Sequence, residues 1–371
     1  MHVLISGGAG FIGSHVSDAL LARGDRVSVL DSLAPRVHPT GSPPNHLDAR
    51  VSFMRGEVTD KPAWERALVD VDAVIHLAAY QDYQPDFGRF AMVNDGGTAL
   101  LYEVIVHGRL PVRKLVVASS QAVYGEGAYH CVTHGTVYPG PRPLSQLERG
   151  AWELRCPICD GEIAPMATDE SHPHPHNAYA ISKVAQEMYA LVLGERYAIP
   201  TVCLRYSIVQ GSRQSPANAY SGVLRAFTSR LLQGLPPVAF EDGQQLRDYT
   251  HINDVVSATV LALDDDRANF NAFNVGSGET ITVLAFGRLL ARALGVSIEP
   301  EVGGRFRVGD TRHVWSDTSK LRALGWSPRY RIADNVADYV AALDRTQFAV
   351  DWAGRALAEM ERAGTVRRVE G

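Results

Sequence analysis

From residue 2 to about residue 120, short apolar runs rich in β-branched residues alternate with stretches whose apolar positions recur at helical spacing. Residues 2–6, 26–31, 51–55, 73–78 and 114–119 are the strand candidates. Near-continuous apolar runs of this kind suit strands covered on both faces. Residues 11–23, 61–69 and 87–107 carry the helical period between them. Strands alternating with helices predict βαβ units, and hence an α/β doubly wound fold on a parallel sheet. The rhythm breaks over residues 126–176, which are rich in Pro, Gly, His and Cys and show little periodicity. A helix over 177–197 and a strand over 201–205 restore it. Beyond Ser212 the pattern loosens: Pro216, Pro236, Pro237, a strand-like 238–240 and short helices predict a smaller C-terminal α/β lobe. The expected division is a first domain over 1–211, carrying the irregular insertion 126–176, and a mainly substrate-binding lobe over 212–371.

Composition narrows the function classes. The chain has 371 residues, 46% hydrophobic and 21% charged, enough for one large or two modest globular domains. The formal net charge is -5, with Lys and Arg scattered, so charge supports neither a nucleic-acid nor a membrane-surface partner. No apolar run reaches the length of a membrane span. Met1–Ser6 runs directly into a glycine loop rather than forming a signal peptide. Four cysteines are too few for a disulfide framework in a chain this long, and a reducing cytoplasm is the expected compartment.

The first strand candidate ends at Gly7, and Gly10 and Gly13 follow at spacings of three. Glycines there permit a tight turn, let backbone N–H groups approach a pyrophosphate, and pack the next helix on the sheet. Phe11 and Ile12 complete the loop, and the start of the helix directs its partial positive charge at the phosphates. The second strand candidate ends in Asp31, placed to accept hydrogen bonds from the ribose hydroxyls of a dinucleotide. A carboxylate there repels a 2′-phosphate and favours NAD over NADP, while Arg36 lies near enough in sequence to soften that preference.

Tyr179 and Lys183 stand four residues apart on the 177–197 helix, hence on one face. An ammonium beside a phenol stabilises the phenolate and suits a base working near neutral pH. With the glycine loop, Ser119–Gly125 and this pair in order, the chain resembles the extended short-chain dehydrogenase/reductase family, in its nucleotide-sugar epimerase/dehydratase branch. The resemblance covers nearly the whole chain and implies a Rossmann domain. It implies Ser120, Tyr179 and Lys183 as catalytic residues, and Glu57, Val58, Leu77, Ala78, Ala79 and Asn94 as further NAD contacts. Ser120, Gln121, Asn177, Arg247, Arg307 and Asp310 are implied to hold the substrate, with Arg247 on the pyrophosphate and Arg307 and Asp310 on the nucleoside. Guanidinium groups suit that task because they bind phosphate bidentately. A homodimer through a four-helix bundle that includes the Tyr179 helix is a further implication.

Two positions depart from the branch's pattern. Ile208 stands where a substrate-binding Asn is usual, with Ser207 or Gln210 as the available compensation, and Glu57 replaces the Asp usual at the adenine. Gln121 and Ala122 follow Ser120 where 4,6-dehydratases carry Asp-Glu, so the resemblance argues against dehydration. It favours NAD-dependent 4-epimerisation of a (d)TDP- or UDP-hexose or 6-deoxyhexose through a transient 4-keto sugar. Residues 31–38 and the Cys-bearing insertion are most similar to the dTDP-L-rhamnose 4-epimerase group. Residues 205–220 also resemble NAD(P)H-dependent 4-ketoreductases of deoxysugar biosynthesis, and a uronate decarboxylase is a third reading. A non-catalytic NAD-sensing regulator is disfavoured by the presence of Ser120, Tyr179 and Lys183.

Cys131-Val-Thr-His134 and Cys156-Pro-Ile-Cys159 lie inside the insertion. Three thiols and an imidazole at two-residue internal spacings suit a tetrahedral structural zinc, which would order a loop with little core of its own. Free thiols or a redox pair are the alternatives. Cys203 falls in an apolar strand and reads as core. His172, His174 and His176 alternate with other residues just ahead of the Tyr179 helix, and the prolines between them predict an extended lid strand beside the sugar.

Overall fold

The computed structural model describes the chain except residues 83, 216–221, 349 and 370–371; Pro216 and the end of the 205–220 segment therefore lie outside the described residues. Seven parallel strands form the central sheet: β1 (His2–Ser6), β2 (Arg26–Asp31), β3 (Ser52–Arg55), β4 (Ala73–His76), β5 (Lys114–Ser120), β6 (Thr201–Tyr206) and β7 (Asn271–Val275). Their order is β7-β6-β5-β4-β1-β2-β3. Register is set by apolar residues that pack on both faces, as in Val3 with Val27 on one side and Ala73 on the other. One face is covered by α1 (Phe11–Ala22) and the helix Ile252–Asp264, with Val16, Leu20, Val255 and Ala258 fully buried. Lys61–Ala67 and Gly97–Gly108 cover the other, around Trp64, Leu101 and Tyr102.

The two long helices expected over 87–107 and 177–197 are each broken. Ala91–Gly96 is a π-helical turn between Phe87–Phe90 and Gly97–Gly108, and Tyr189–Leu193 is another after Ala178–Met188. Such insertions re-aim side chains and recur at functional sites. The strand expected over 73–78 stops at His76, because Leu77, Ala78 and Ala79 turn out to line a cavity.

The chain does not leave the first layer at residue 211. The helix Ile252–Asp264 packs on α1, and β7 pairs with β6, so part of the expected C-terminal lobe completes the sheet. The remaining lobe has its own core between Val223–Leu232, Val283–Ala293 and Ile332–Ala341. A short antiparallel pair joins Arg305–Arg307 to Val366–Arg368. The insertion is not wholly irregular: Gly135–Val137, Tyr129–Cys131 and Ile163–Pro165 form a small antiparallel sheet. No described helix is long and apolar enough to cross a membrane.

Candidate active site

The sheet order reverses between β1 and β4, and such switch points open a crevice at the carboxyl ends of the strands. Here the crevice widens into a cavity of about 1000 Å³ reaching from the glycine loop to the C-terminal lobe. Helix α1 begins at Gly10 without a side-chain cap and without an acidic residue in its first turn, leaving its orphan N–H groups free for an anion. Gly7 has φ +70°, and a Cβ there would sit 2.7 Å from the Ala78 nitrogen. At Gly13 a Cβ would lie 2.5 Å from the Gly7 carbonyl oxygen. The bare backbone is what gives the loop its shape, and that cradle fits a dinucleotide pyrophosphate.

Asp31 closes the same end of the cavity. Its Oδ2 accepts from the Ala9 N–H at 3.0 Å and its Oδ1 from the Leu33 N–H at 2.9 Å. Arg36, the residue near enough in sequence to meet a 2′-phosphate, is instead ion-paired to Asp82. Phe11, Ile12, Glu57, Val58, Leu77, Ala78 and Ala79 all line the cavity. Asn94 does not. It is fully buried, accepts from the Tyr80 N–H at 2.7 Å and donates to Tyr80 oxygen and Ser182 Oγ. The cofactor contact expected of it becomes a support for the loop that carries Ala78 and Ala79.

Ser120, at the end of β5, and Tyr179 and Lys183 on Ala178–Met188 converge on the cavity's centre. Gln81 Nε2 donates to Tyr179 Oη at 2.7 Å. Burial pushes the Tyr179 phenol up, and hydrogen bonds from Gln81 and Ser120 act in the opposite sense. Lys183 Nζ donates to the Ala118 carbonyl at 2.8 Å and to Gln186 Oε1 at 2.7 Å. Burial lowers it to about 8, against the charge of Glu187. Two of its three protons are thus committed, leaving one for the cavity. Gln186 donates in turn to Thr98 Oγ1, beside the buried His76. Gln81 was not singled out by the sequence, although its place directly after His76-Leu-Ala-Ala-Tyr80 was a signal.

Gln121 is buried on the cavity wall and its Oε1 has no partner. Asn177 caps the Tyr179 helix, accepting from the Ala180 N–H at 2.9 Å, so its amide group is left to face the cavity. Arg247, Arg307 and Asp310 line the far end. Arg247 donates Nη1 to the Arg312 carbonyl at 2.9 Å and Nη2 to that of Thr311 at 2.6 Å. Asp310 Oδ1 stands 2.9 Å from Arg307 and 3.8 Å from Arg247. Arg247 is not engaged by its chain neighbour Asp248, which is fully buried and held by Ser207 and Ser277. Ser207 lines the cavity beside Ile208 with its hydroxyl donated to Asp248, whereas Gln210 is buried and does not line it. His172, His174 and His176 also lie off the cavity: His172 stacks on Tyr138 at 4.1 Å, and the His174 N–H donates to the Val123 carbonyl. The lid expected of that strand is not what it forms.

Cys131, His134, Cys156 and Cys159 come together with their ligand atoms within 4.8 Å of one another. Cys131 and Cys159 sulfurs are 3.8 Å apart, and His134 Nδ1 lies 3.5 Å from Cys131 and 3.6 Å from Cys156.

Known proteins share this fold. A dTDP-L-rhamnose 4-epimerase of Burkholderia thailandensis is 34% identical over 91% of this chain and 93% of its own. The structure of a Thermotoga maritima UDP-glucose 4-epimerase with UDP-glucose superposes with a TM-score of 0.75 at 30% identity, covering 93% of this chain and 99% of that one. A Thermus thermophilus UDP-glucose 4-epimerase in complex with NAD gives 0.70 at 32% identity, over 92% and 98%. The profile of the NAD dependent epimerase/dehydratase family matches residues 3–144 and 160–276. With its glycine loop, Asp31 and the Ser120, Tyr179 and Lys183 cluster on one cavity, the chain belongs to that family of enzymes.

Proposed function

We propose that the enzyme is an NAD-dependent 4-epimerase of a (d)TDP- or UDP-linked hexose or 6-deoxyhexose. The observation that carries this reading is a Ser-Tyr-Lys cluster facing the dinucleotide cradle, with uncharged Gln121 and Ala122 after Ser120 in place of an acid and base for dehydration. NAD, when bound, would supply a reversible acceptor for the hydride of C4. Tyr179 Oη takes the 4-hydroxyl proton as the carbonyl forms and gives it back when the hydride returns to the other face. Lys183 holds the phenolate electrostatically, and Ser120 Oγ donates to the reacting oxygen. Arg247, with Arg307 and Asp310, fixes the nucleotide diphosphate while the sugar turns over. Asp31 and the capture of Arg36 by Asp82 favour NAD over NADP.

The test is to denature purified protein and assay the released cofactor. About one NAD per chain, with interconversion of 4-epimers and no external cofactor, is the expected result. A cofactor-free protein that consumes NADPH with a 4-keto sugar nucleotide would make it a reductase instead.

Three further assignments belong to this reading. The Tyr179 helix and the π-turn after it expose Ile181, Met188 and Val192, and the turn Ala91–Gly96 packed on that helix exposes Met92; these apolar side chains support a homodimer. Cys131, Cys156, Cys159 and Cys203 are all unbridged, in keeping with a reducing cytoplasm. The Cys/His cluster is proposed as a structural zinc site. A tetrahedron with sulfur arms of about 2.3 Å and a nitrogen arm of about 2.05 Å has edges of about 3.8 Å and 3.6 Å. The observed 3.8, 3.5 and 3.6 Å match them.

A further inference from the structure

The insertion has too little core to stand alone. Tyr129, Cys131, Val137, Leu154 and Cys156 are its buried cluster, with Ile163 packed against it. A unit of that size needs a covalent or metal closure to hold one shape. It also departs from the family, whose profile passes over residues 145–159 and with them Glu153, Cys156 and Cys159.

This small unit is nonetheless tied to the far end of the substrate cavity by charged side chains, most of them buried. Glu153, three residues from Cys156 and itself exposed, pairs with Arg312 at 2.5 Å, beside Glu241 at 2.9 Å and Asp242 at 2.7 Å on the same guanidinium, and with His313 at 3.3 Å. The ring of Tyr129, two residues from Cys131, meets His313 edge-on at 6.5 Å. Arg142 bridges Glu126 at 3.5 Å and Glu241 at 2.8 Å, and donates to the Asp310 carbonyl at 2.8 Å. Glu126 also accepts from the Arg312 N–H at 2.7 Å. Arg142, Glu126, Glu241 and the Arg312 side chain are all nearly excluded from water. Buried pairs of this kind cost several kcal/mol to break, so the segment from Asp310 to His313 moves with the insertion. That segment supplies the two carbonyls, of Thr311 and Arg312, on which the Arg247 guanidinium rests.

We infer that the insertion, closed by a zinc ion on Cys131, His134, Cys156 and Cys159, is the positioning element of the nucleotide-binding loop. Metal occupancy then sets the affinity for the nucleotide diphosphate through Glu153, Arg312 and Arg142, and leaves the hydride step at Tyr179 to the sheet. The inference rests on the zinc and nucleotide assignments proposed above, and each is read separately in its test.

Zinc content of the purified enzyme is measured first, then affinity for thymidine diphosphate and uridine diphosphate by calorimetry, before and after chelation, with bound NAD followed throughout. The expected result is about one zinc per chain, and loss of diphosphate affinity on chelation by about ten-fold or more with NAD retained. Added zinc restores the affinity and magnesium does not. Glu153→Ala keeps its zinc and raises KM for the sugar nucleotide about five-fold or more at little-changed kcat, and Glu153→Gln, which retains an acceptor for Arg312, restores most of it. Less than a tenth of a zinc per chain overturns the metal assignment and the inference with it. A zinc-loaded enzyme whose stripped form and Glu153→Ala variant bind diphosphate unchanged overturns the coupling and leaves the metal site standing. Should the stripped protein unfold, the Glu153→Ala result decides alone. Failure of the zinc-loaded enzyme to bind either diphosphate sinks the nucleotide reading itself.

Discussion

Replacing Asp31 by Asn tests the cofactor end of the cavity with a nearly isosteric change. Each carboxylate oxygen already accepts from a backbone N–H, Oδ2 from Ala9 at 3.0 Å and Oδ1 from Leu33 at 2.9 Å. An Asn amide has one acceptor and one donor group, so either flip points an NH2 at one of these two N–H groups. The group left facing it is buried, since Asp31 is 8% exposed. That orphan costs about 1–3 kcal/mol before any cofactor is considered. Ribose hydroxyls that had donated to a carboxylate lose a charged acceptor, worth about 1.5–3 kcal/mol, or about a 10- to 150-fold weaker NAD complex. A 2′-phosphate, by contrast, no longer meets a negative charge, and NADP affinity relative to NAD rises. Calorimetric titration of cofactor-stripped Asp31→Asn with both dinucleotides, and its melting without either, separate the two effects. An unchanged NAD affinity together with an unchanged NADP-to-NAD ratio would refute the assignment of Asp31 to the ribose. A loss of melting temperature alone would mean that the carboxylate serves only the Ala9 and Leu33 backbone.

Lys183, lowered to about 8 by burial, carries its ammonium below that pH and loses it above. Turnover should therefore show a descending limb near pH 8 in kcat against pH, and Lys183→Arg, which stays charged, should move that limb upward; an unmoved limb would assign it to another group. Glu187 holds Arg205 bidentately at 2.8 and 2.7 Å, with both side chains about 5% exposed or less. Glu187→Gln is expected to cost about 3–5 kcal/mol in urea unfolding, and a loss under about 1 kcal/mol would show that the pair is not carrying the sheet-to-helix contact. Gly13→Ala drives a Cβ to 2.5 Å from backbone atoms of Gly7 and Gly8, so the loop must shift. An overpacking cost of about 1–3 kcal/mol and a purified protein depleted in NAD are expected, measured as cofactor released on denaturation.

What the sequence determined by itself is what local physics determines. Apolar runs alternating with helical periods specified six of the seven sheet strands, because period and turn chemistry are properties of neighbouring residues. The glycine loop, Asp31, and the four-residue step from Tyr179 to Lys183 were legible for the same reason: their spacing is their geometry. The Cys-x2-His and Cys-x2-Cys steps told which side chains form two pairs, and only the folded insertion brought the pairs together. Distant pairing decided the rest. β7, from residues assigned to the second lobe, completes the sheet because it buries Phe273 and Val275 against β6, which no local pattern encodes. Asn94 left the cavity because a π-turn rotated it behind Tyr80, and Gln81 entered it to meet Tyr179. Arg36 was taken by Asp82, and Arg142, Glu241 and Arg312 gathered from remote stretches of chain. Charges pair by proximity in three dimensions, where burial removes the screening water, and sequence distance says nothing of that.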